Sequence, residues 1–252
     1  MKSINSFLAR IKYQGKLNID LESLTKLQTC FLKNVPFENL DVINGVALDY
    51  SSKNVFNKIV IQNRGGLCYE CNGLFHDMLE ELGFDVHFII GAMFPDKVDK
   101  FDFSHMALIV TINEKKYLVD VGNGKSFGNP LSIQTVSTSQ SEATLSTVKP
   151  YNSEYYGLFY FVEEKWEARY IFNIDKKTRA DFKKSCHFVE SSPNSEFTKK
   201  VLVSMLFDTQ RITLSGNTLI ATIFEEKSVK RNLPKDEYTR VLKDTFNIET
   251  IF

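Results

Sequence analysis

Apolar residues recur at helical spacing in the first third of the chain and at strand spacing beyond it. Leu21, Leu24, Leu27, Phe31 and Val35 share one helical face, which Asp20 is placed to cap and Pro36 to end. Ser51 or Ser52 can cap a second helix carrying Val55, Phe56 and Ile59. The series Leu67, Cys71, Leu74, Phe75, Met78, Leu79, Leu82 predicts a third helix, and Gly83 supplies its stop. From Val86 the pattern turns to β, with strands predicted at 86–93, 105–112, 117–122, 155–162 and 170–174. The Ser- and Thr-rich stretch 132–146 reads as a loop or short-strand insert, with a solvated linker the simpler reading. Ser192-Pro193-Asn194-Ser195 is read as the cap of a helix bearing Phe197, Val201, Leu202 and Met205. Short strands at 211–214 and 218–223 follow, then a last helix near Pro234 carrying Tyr238, Val241, Leu242 and Phe246. The order is a helical N-terminal part, a β-rich middle and a mixed C-terminal part.

Composition narrows the class. The chain has 252 residues, of which 43% are hydrophobic and 25% charged, ordinary for a soluble globular protein with one or two domains. Lys plus Arg and Asp plus Glu both total 31, so the basic excess of a nucleic-acid surface is missing. The apolar run at Phe88-Ile89-Ile90 is far too short for a membrane span, and the N-terminus lacks an apolar signal core, which predicts a cytoplasmic protein. Four cysteines, Cys30, Cys68, Cys71 and Cys186, are too few and scattered for a disulfide framework. Cys68 and Cys71 form a C-x-x-C. A zinc site would need a second ligand pair, and the adjacent Cys186 and His187 suit one metal poorly, so no metal is expected. A thioredoxin-like redox site would follow a strand, whereas 58–63 reads as helical or irregular.

The candidate chemistry begins at Arg64-Gly65-Gly66-Leu67-Cys68. A cysteine just after a Gly-Gly bend, in the first turn of a helix, has free N–H groups and the positive end of the helix dipole to favour its reactive thiolate. Its base is sought among His76, His87, His105 and His187. His105 opens a predicted strand, Asn113-Glu114 make a tight turn, and Asp120 sits in the returning strand between Val119 and Val121. In that register Asp120 lies opposite Ala107 and diagonal to His105 on the same face, roughly 7–8 Å away. A slip of one residue would turn Asp120 to the other face. Singly, each residue has an ordinary reading: core cysteine, structural histidine, edge carboxylate. Together they make a nucleophile, a base and an orienting acid.

The strings RGGLCYECNGLF, SHMALIV and VDVG resemble the arylamine N-acetyltransferases. So do Val35-Pro36-Phe37-Glu38-Asn39-Leu40-Asp41 and Ser191-Ser192-Pro193-Asn194-Ser195-Glu196-Phe197, in the same order along the chain. The resemblance implies an α+β fold: an N-terminal helical bundle, a central β-barrel-like domain and a C-terminal α/β lid around a cysteine-protease-like core. It implies a division at 1–84, 85–190 and 191–252, with the cysteine in the first part and the His and Asp in the second. It makes Cys68, His105 and Asp120 the catalytic residues and Arg64 with Glu38 a structural ion pair. The implied reaction is ping-pong transfer of acetyl from acetyl-CoA, a co-substrate, to a small aromatic amine or hydrazine, with no permanently bound cofactor, nucleic acid or membrane. The residues that would bind the CoA are not identified. Three positions depart from the family pattern: Leu67 and Asn123, where aromatic residues are usual, and Cys30-Phe31, where a His is often found. Two other enzyme readings share the order Cys, His, Asp: a cysteine hydrolase or transglutaminase-like enzyme, and an amide synthase acting on a carrier-bound acyl chain. A thiol redox sensor built on Cys68 and Cys71 is a non-enzymatic alternative.

Overall fold

The computed structural model describes residues 2–94, 103–125, 127–141, 144–208, 210–223 and 229–249. Helix α1 (Lys2–Arg10) is followed by α2 (Leu21–Asn34), where the Asp20 side chain accepts from the Ser23 N–H at 2.8 Å, the N-cap bond expected from sequence. Leu24, Leu27 and Phe31 of α2 are buried, but Leu21 is 38% exposed and does not belong to the packed face. A two-residue strand β1 (Phe37–Glu38) and the short helices α3 (Leu40–Ile43) and α4 (Ser52–Phe56) come next. Helix α4 runs into a π-turn at Asn57–Ile61, which still buries Ile59. Helix α5 (Cys68–Glu81) is entered from Leu67, whose N–H the Glu70 carboxylate accepts at 2.9 Å, and it gives way at Gly83, φ 96°.

The β-rich middle is one antiparallel sheet. Its strands are β2 (Asp85–Met93), β3 (Phe103–Ile112), β4 (Lys115–Val119), β5 (Leu131–Ser132), β6 (Thr138–Ser141), β7 (Thr144–Pro150), β8 (Tyr156–Val162) and β9 (Lys165–Phe172). Their order is β5-β4-β3-β2-β9-β8-β7-β6. The sheet curls into a nearly closed barrel: Asn129 N–H donates to Ser139 Oγ at 3.2 Å and Ser146 Oγ to the Phe127 carbonyl at 3.4 Å, joining its two ends. The stretch 132–146 is therefore largely sheet, with Ser132, Ser139 and Ser146 buried, and the simple linker reading does not hold; residues 142 and 143 lie outside the described residues. Ile89, Ala107, Ile109, Leu118 and Leu158 fill the barrel, while Met106, Leu108 and Val119 join the core of α2 and α5.

After β9 comes α6 (Lys183–Ser191), an element the hydrophobic pattern did not single out. The helix expected over Phe197 to Met205 is absent; a single 3-10 turn, Glu196–Thr198, leads instead into strand β10 (Leu202–Leu206). β10 pairs with β1 on one side and β11 (Gln210–Ser215) on the other, and β12 (Thr218–Ile223) and β13 (Val229–Asn232) complete a five-stranded sheet. Helix α7 (Tyr238–Phe246) buries Val241, Leu242 and Phe246, as its spacing predicts. The fold is α+β, with a helical first part, a barrel-like sheet and a mixed last part. Among the described residues no helix is long and apolar enough to cross a membrane.

Candidate active site

Cys68 is the first residue of α5, and the bend before it tolerates only glycine. A Cβ on Gly65 would lie 1.9 Å from the Pro36 carbonyl oxygen, and one on Gly66 would lie 2.6 Å from Glu70 Oε2. Beneath the bend sits a cluster of five charges. Arg64 reaches Glu38 Oε1 and Asp41 Oδ1, both at 2.8 Å, and Lys58 Nζ reaches Asp41 Oδ2 at 2.7 Å and Glu70 Oε1 at 2.6 Å. The Arg64–Glu38 pair expected from sequence is thus part of a larger network. Burial alone would lower the Lys58 pKa, but the carboxylates of Glu70, Glu38 and Asp41 outweigh it and raise it. Burial pushes the Glu70 carboxyl up against the opposing pull of Lys58. The network ties the π-turn, the bend and the start of α5 into one unit.

Asp120 leaves the ladder just past β4. The hairpin has the expected register, with Asn113 (φ 48°) and Glu114 (φ 65°) in the turn, Ile112 opposite Lys115 and Leu108 opposite Val119. The strand expected to reach 122 ends at Val119, because side chains take over its backbone donors. Val121 N–H donates to Asn72 Oδ1 and Gly122 N–H to Asp120 Oδ1, each at 2.9 Å. Asp120 is fully buried, and both of its oxygens are doubly engaged. Oδ1 also accepts from Asn72 Nδ2 at 2.9 Å; Oδ2 accepts from His105 Nε2 at 2.7 Å and from the Tyr170 hydroxyl at 3.1 Å. Burial would raise the Asp120 pKa, yet the His105 charge and these donors hold it below its ordinary value. Burial likewise opposes the charged form of His105, but the Asp120 charge and hydrogen bond, joined by those of Cys68, raise it from 6.5 to about 10.

The structure therefore brings the three residues singled out from sequence together. His105 spends Nε2 on Asp120 and shares the cavity wall with Cys68, whose nearby side chain adds to the upward shift of the ring. Cys68 is partly exposed, whereas Cys71 is fully buried, with its thiol directed to the Gly66 carbonyl at 3.2 Å and its pKa pushed up by burial. Cys71 is a packing residue at this bend. Among the described residues no group of three or more His, Cys, Asp or Glu is placed to hold a metal ion.

Two polar neighbours were not found by sequence reasoning. Asn72 follows Cys68 by four residues, so both share a face of α5, and that spacing was the available signal. Its amide also donates to the Met106 carbonyl at 2.6 Å, which fixes the amide's orientation. Tyr170 comes from β9, fifty residues from Asp120, and nothing local marked it. Burial, with the Asp120 charge adding to it, raises the Tyr170 pKa well above its ordinary value and keeps the hydroxyl a donor.

Cys68 and His105 open on a cavity of about 510 Å³. Its walls come from the bend region (Phe37), from loop 122–125, from β9 (Arg169) and from the five-stranded sheet (Leu202, Ser204, Arg211, Thr213, Thr222). Phe37 and Phe197 meet edge-on there, with ring centroids 6.0 Å apart. Arg211 donates to the Gly124 carbonyl at 2.8 Å and to Ser204 Oγ at 3.0 Å, joining the last part of the chain to the loop that follows Asp120. A thiol and an imidazole on the wall of a cavity of small-molecule size, with a buried carboxylate bonded to the imidazole from behind, are equipped for covalent acyl transfer.

Comparison with known proteins bears on this chemistry. The sequence model of a family described as N-acetyltransferase matches residues 20–251. The arylamine N-acetyltransferase, pineal gland isozyme NAT-10, of Gallus gallus is 30% identical, over 98% of this chain and 94% of its own. The solved structure of Mycobacterium marinum arylamine N-acetyltransferase in complex with CoA superposes with a TM-score of 0.90 at 29% identity, covering 97% of this chain and 92% of that one. An arylamine N-acetyltransferase from Bacillus cereus, with a unique Cys-His-Glu catalytic triad, superposes with a TM-score of 0.90 at 25% identity, over 99% and 100% of the two chains.

Proposed function

The chain belongs to the arylamine N-acetyltransferase family, and we propose that it works through a Cys68 thioester, passing an acetyl group from acetyl-CoA to an aromatic amine or hydrazine. The observation that carries this reading is Cys68 and His105 side by side on the cavity wall, with the buried Asp120 carboxylate bonded to His105 behind them. The CoA held by the Mycobacterium marinum relative supports acetyl-CoA as donor.

His105 takes the proton of the Cys68 thiol, which leaves an imidazolium beside a thiolate. The thiolate attacks the acetyl carbonyl of acetyl-CoA, and the carbon–sulfur bond to CoA breaks. The departing CoA sulfur takes the His105 proton, leaving a neutral imidazole and an acetyl thioester on Cys68. Backbone N–H groups at the start of α5 are candidates to stabilise the oxyanion of each tetrahedral intermediate. An aromatic amine, unprotonated at neutral pH, then attacks the thioester. His105 takes the amine proton as the Cys68 thiolate leaves, which restores the starting pair. Two thioesters are close in energy, so the first half is reversible; the amide drives the second. Asp120 keeps the ring in position and stabilises its charged form throughout. In this scheme residues 1–84 supply the nucleophile, 85–190 supply the base and acid, and 191–252 cover the cavity.

The test is acceptor-free. Wild-type protein mixed with acetyl-CoA is expected to release a burst of about one CoA per chain and to gain the mass of one acetyl group. Cys68→Ser is expected to do neither. Turnover by Cys68→Ala at the wild-type rate would rule the covalent route out. A hydrolase would instead keep releasing CoA and acetate with no acceptor present.

A further inference from the structure

The wall of the cavity carries a guanidinium that the mechanism above does not use. Arg169 lines the same cavity as Cys68 and His105 and is partly exposed. Among the described residues no carboxylate pairs with it, and none of the described residues lining the cavity is Asp or Glu. Its position is nonetheless fixed. The Tyr160 hydroxyl donates to the Lys125 carbonyl at 2.5 Å and accepts from Asn123 Nδ2 at 3.1 Å. That bond turns Asn123 Oδ1 toward Arg169, whose Nε donates to it at 3.2 Å, and Arg169 Nη2 donates to the Asn123 carbonyl at 3.4 Å. Asn123 is itself buried. A guanidinium has five N–H donors, and Asn123 engages two of them. The neighbouring residue of β9, Tyr170, grips Asp120, so consecutive residues of one strand hold the acid and aim the guanidinium.

We propose that Arg169, aimed by Asn123, determines acceptor specificity: it pairs with a carboxylate carried by the aromatic amine, so that aminobenzoate-type anions are preferred over neutral anilines. The proposal rests on the acyl-transfer reading and narrows it. Phe37 and Phe197 give the same cavity an apolar wall for the ring, and a planar guanidinium matches a carboxylate two bonds at a time. An apolar wall and a guanidinium with no carboxylate partner among the described residues, both on one cavity, fit an aromatic anion better than either feature alone.

The experiment compares 4-aminobenzoate with 4-aminobenzamide, its neutral counterpart, as acceptors for the full chain with acetyl-CoA. Comparing each variant with wild type cancels the intrinsic difference between the two amines. Arg169→Leu is expected to lower kcat/KM for 4-aminobenzoate about tenfold or more, leaving 4-aminobenzamide and the acceptor-free CoA burst unchanged. Arg169→Lys keeps the charge without the fork and is expected to fall between. Asn123→Ala is expected to narrow the same ratio, and to narrow it no further in an Arg169→Leu background; a residue that only supported the fold would lower both acceptors equally. An equal loss on both acceptors overturns the proposal, as does an unchanged ratio. A raised KM for acetyl-CoA would assign the guanidinium to CoA phosphates, and Arg169-dependent use of succinyl-CoA with 4-aminobenzamide would assign it to the acyl group; both overturn it. A wild-type protein with no CoA burst would sink the covalent route itself, whereas a normal burst with an Arg169-independent ratio defeats this proposal alone.

Discussion

Asp120 shows how much of a site rests on groups with no reactive chemistry of their own. Asp120→Asn keeps the shape but removes the charge that holds His105 cationic, and acetyl transfer is expected to fall by about three orders of magnitude or more, measured as steady-state turnover. The pH dependence follows from the shifted pair. His105 titrates near 10 in the fold against 6.5 free, so its contribution to stability is full below pH 6.5 and is lost as pH rises through about 10. Asp120 titrates below its ordinary 3.8, so its contribution is present above that value and is lost as pH falls through the lowered one. Both contributions are complete between pH 3.8 and 6.5. An NMR titration is expected to find the His105 ring cationic well above pH 6.5; a midpoint at the ordinary value would contradict the paired arrangement. Gly122 sets a second test. A Cβ there would lie 2.6 Å from Cys68 Cα and 2.8 Å from Asn72 Nδ2, so Gly122→Ala is expected to cost about 1–3 kcal/mol and to lower acyl transfer, read by thermal melts and CoA release. Cys68, His105 and Asp120 were legible because each breaks a local pattern: a cysteine after two glycines, a histidine opening an apolar strand, a carboxylate between two valines. Tyr170 and Arg169 break none, Asn123 stood out only as a departure from the family pattern, and the packing of β9 on the 120–125 loop gives all three a site.

At the level of elements, agreement with the sequence depended on how many sides of each element are covered. α2 and α7 each turn one apolar stripe to the core, and period-3.6 reasoning finds them; α5 is buried at every residue from Tyr69 to Phe75, yet its apolar residues still keep helical spacing. β10 lies between β1 and β11, and Val203, Ser204, Met205 and Leu206 are all buried, so its sequence is a continuous run without strand alternation. Within such a run Val201 and Met205 sit four apart and imitate a helix. Asn39 settles the competition by donating to the Phe197 and Lys200 carbonyls and accepting from the Leu202 N–H at 2.7 Å, which fixes the extended entry to β10. Helix α6 escaped notice because only Cys186 and Val189 of its nine residues are buried, too narrow a stripe to read. The bend before α5 offers its own test. Lys58→Met would take the lysine from the buried Glu70 carboxylate and leave Glu38 and Asp41 to Arg64 alone, and a loss of about 3 kcal/mol is expected in chemical denaturation.

The molecule as a whole is closed by contacts between its first and last thirds. Phe37 and Glu38 pair with Ser204 and Val203, Glu38 N–H donates to the Gly66 carbonyl at 3.1 Å, and one core runs from Phe7 through α5 to strands β3 and β4 and on to α6. Unfolding is therefore expected to be a single transition, with Trp166 fluorescence and far-UV circular dichroism coinciding across a urea titration. Separate midpoints would show that the β8–β9 hairpin, which carries Trp166, opens by itself. No local pattern in the sequence announced the β1–β10 pairing, because its strands are short and lie more than 160 residues apart. The four donors that meet on Asp120, from Asn72, His105, Gly122 and Tyr170, are likewise spread over about 100 residues of chain. A chain still emerging from the ribosome lacks Tyr170 long after Cys68 has appeared. The Asp120 carboxylate lacks one of its four donors until that strand is made, so the full set of contacts around it can form only after about two-thirds of the polypeptide exists.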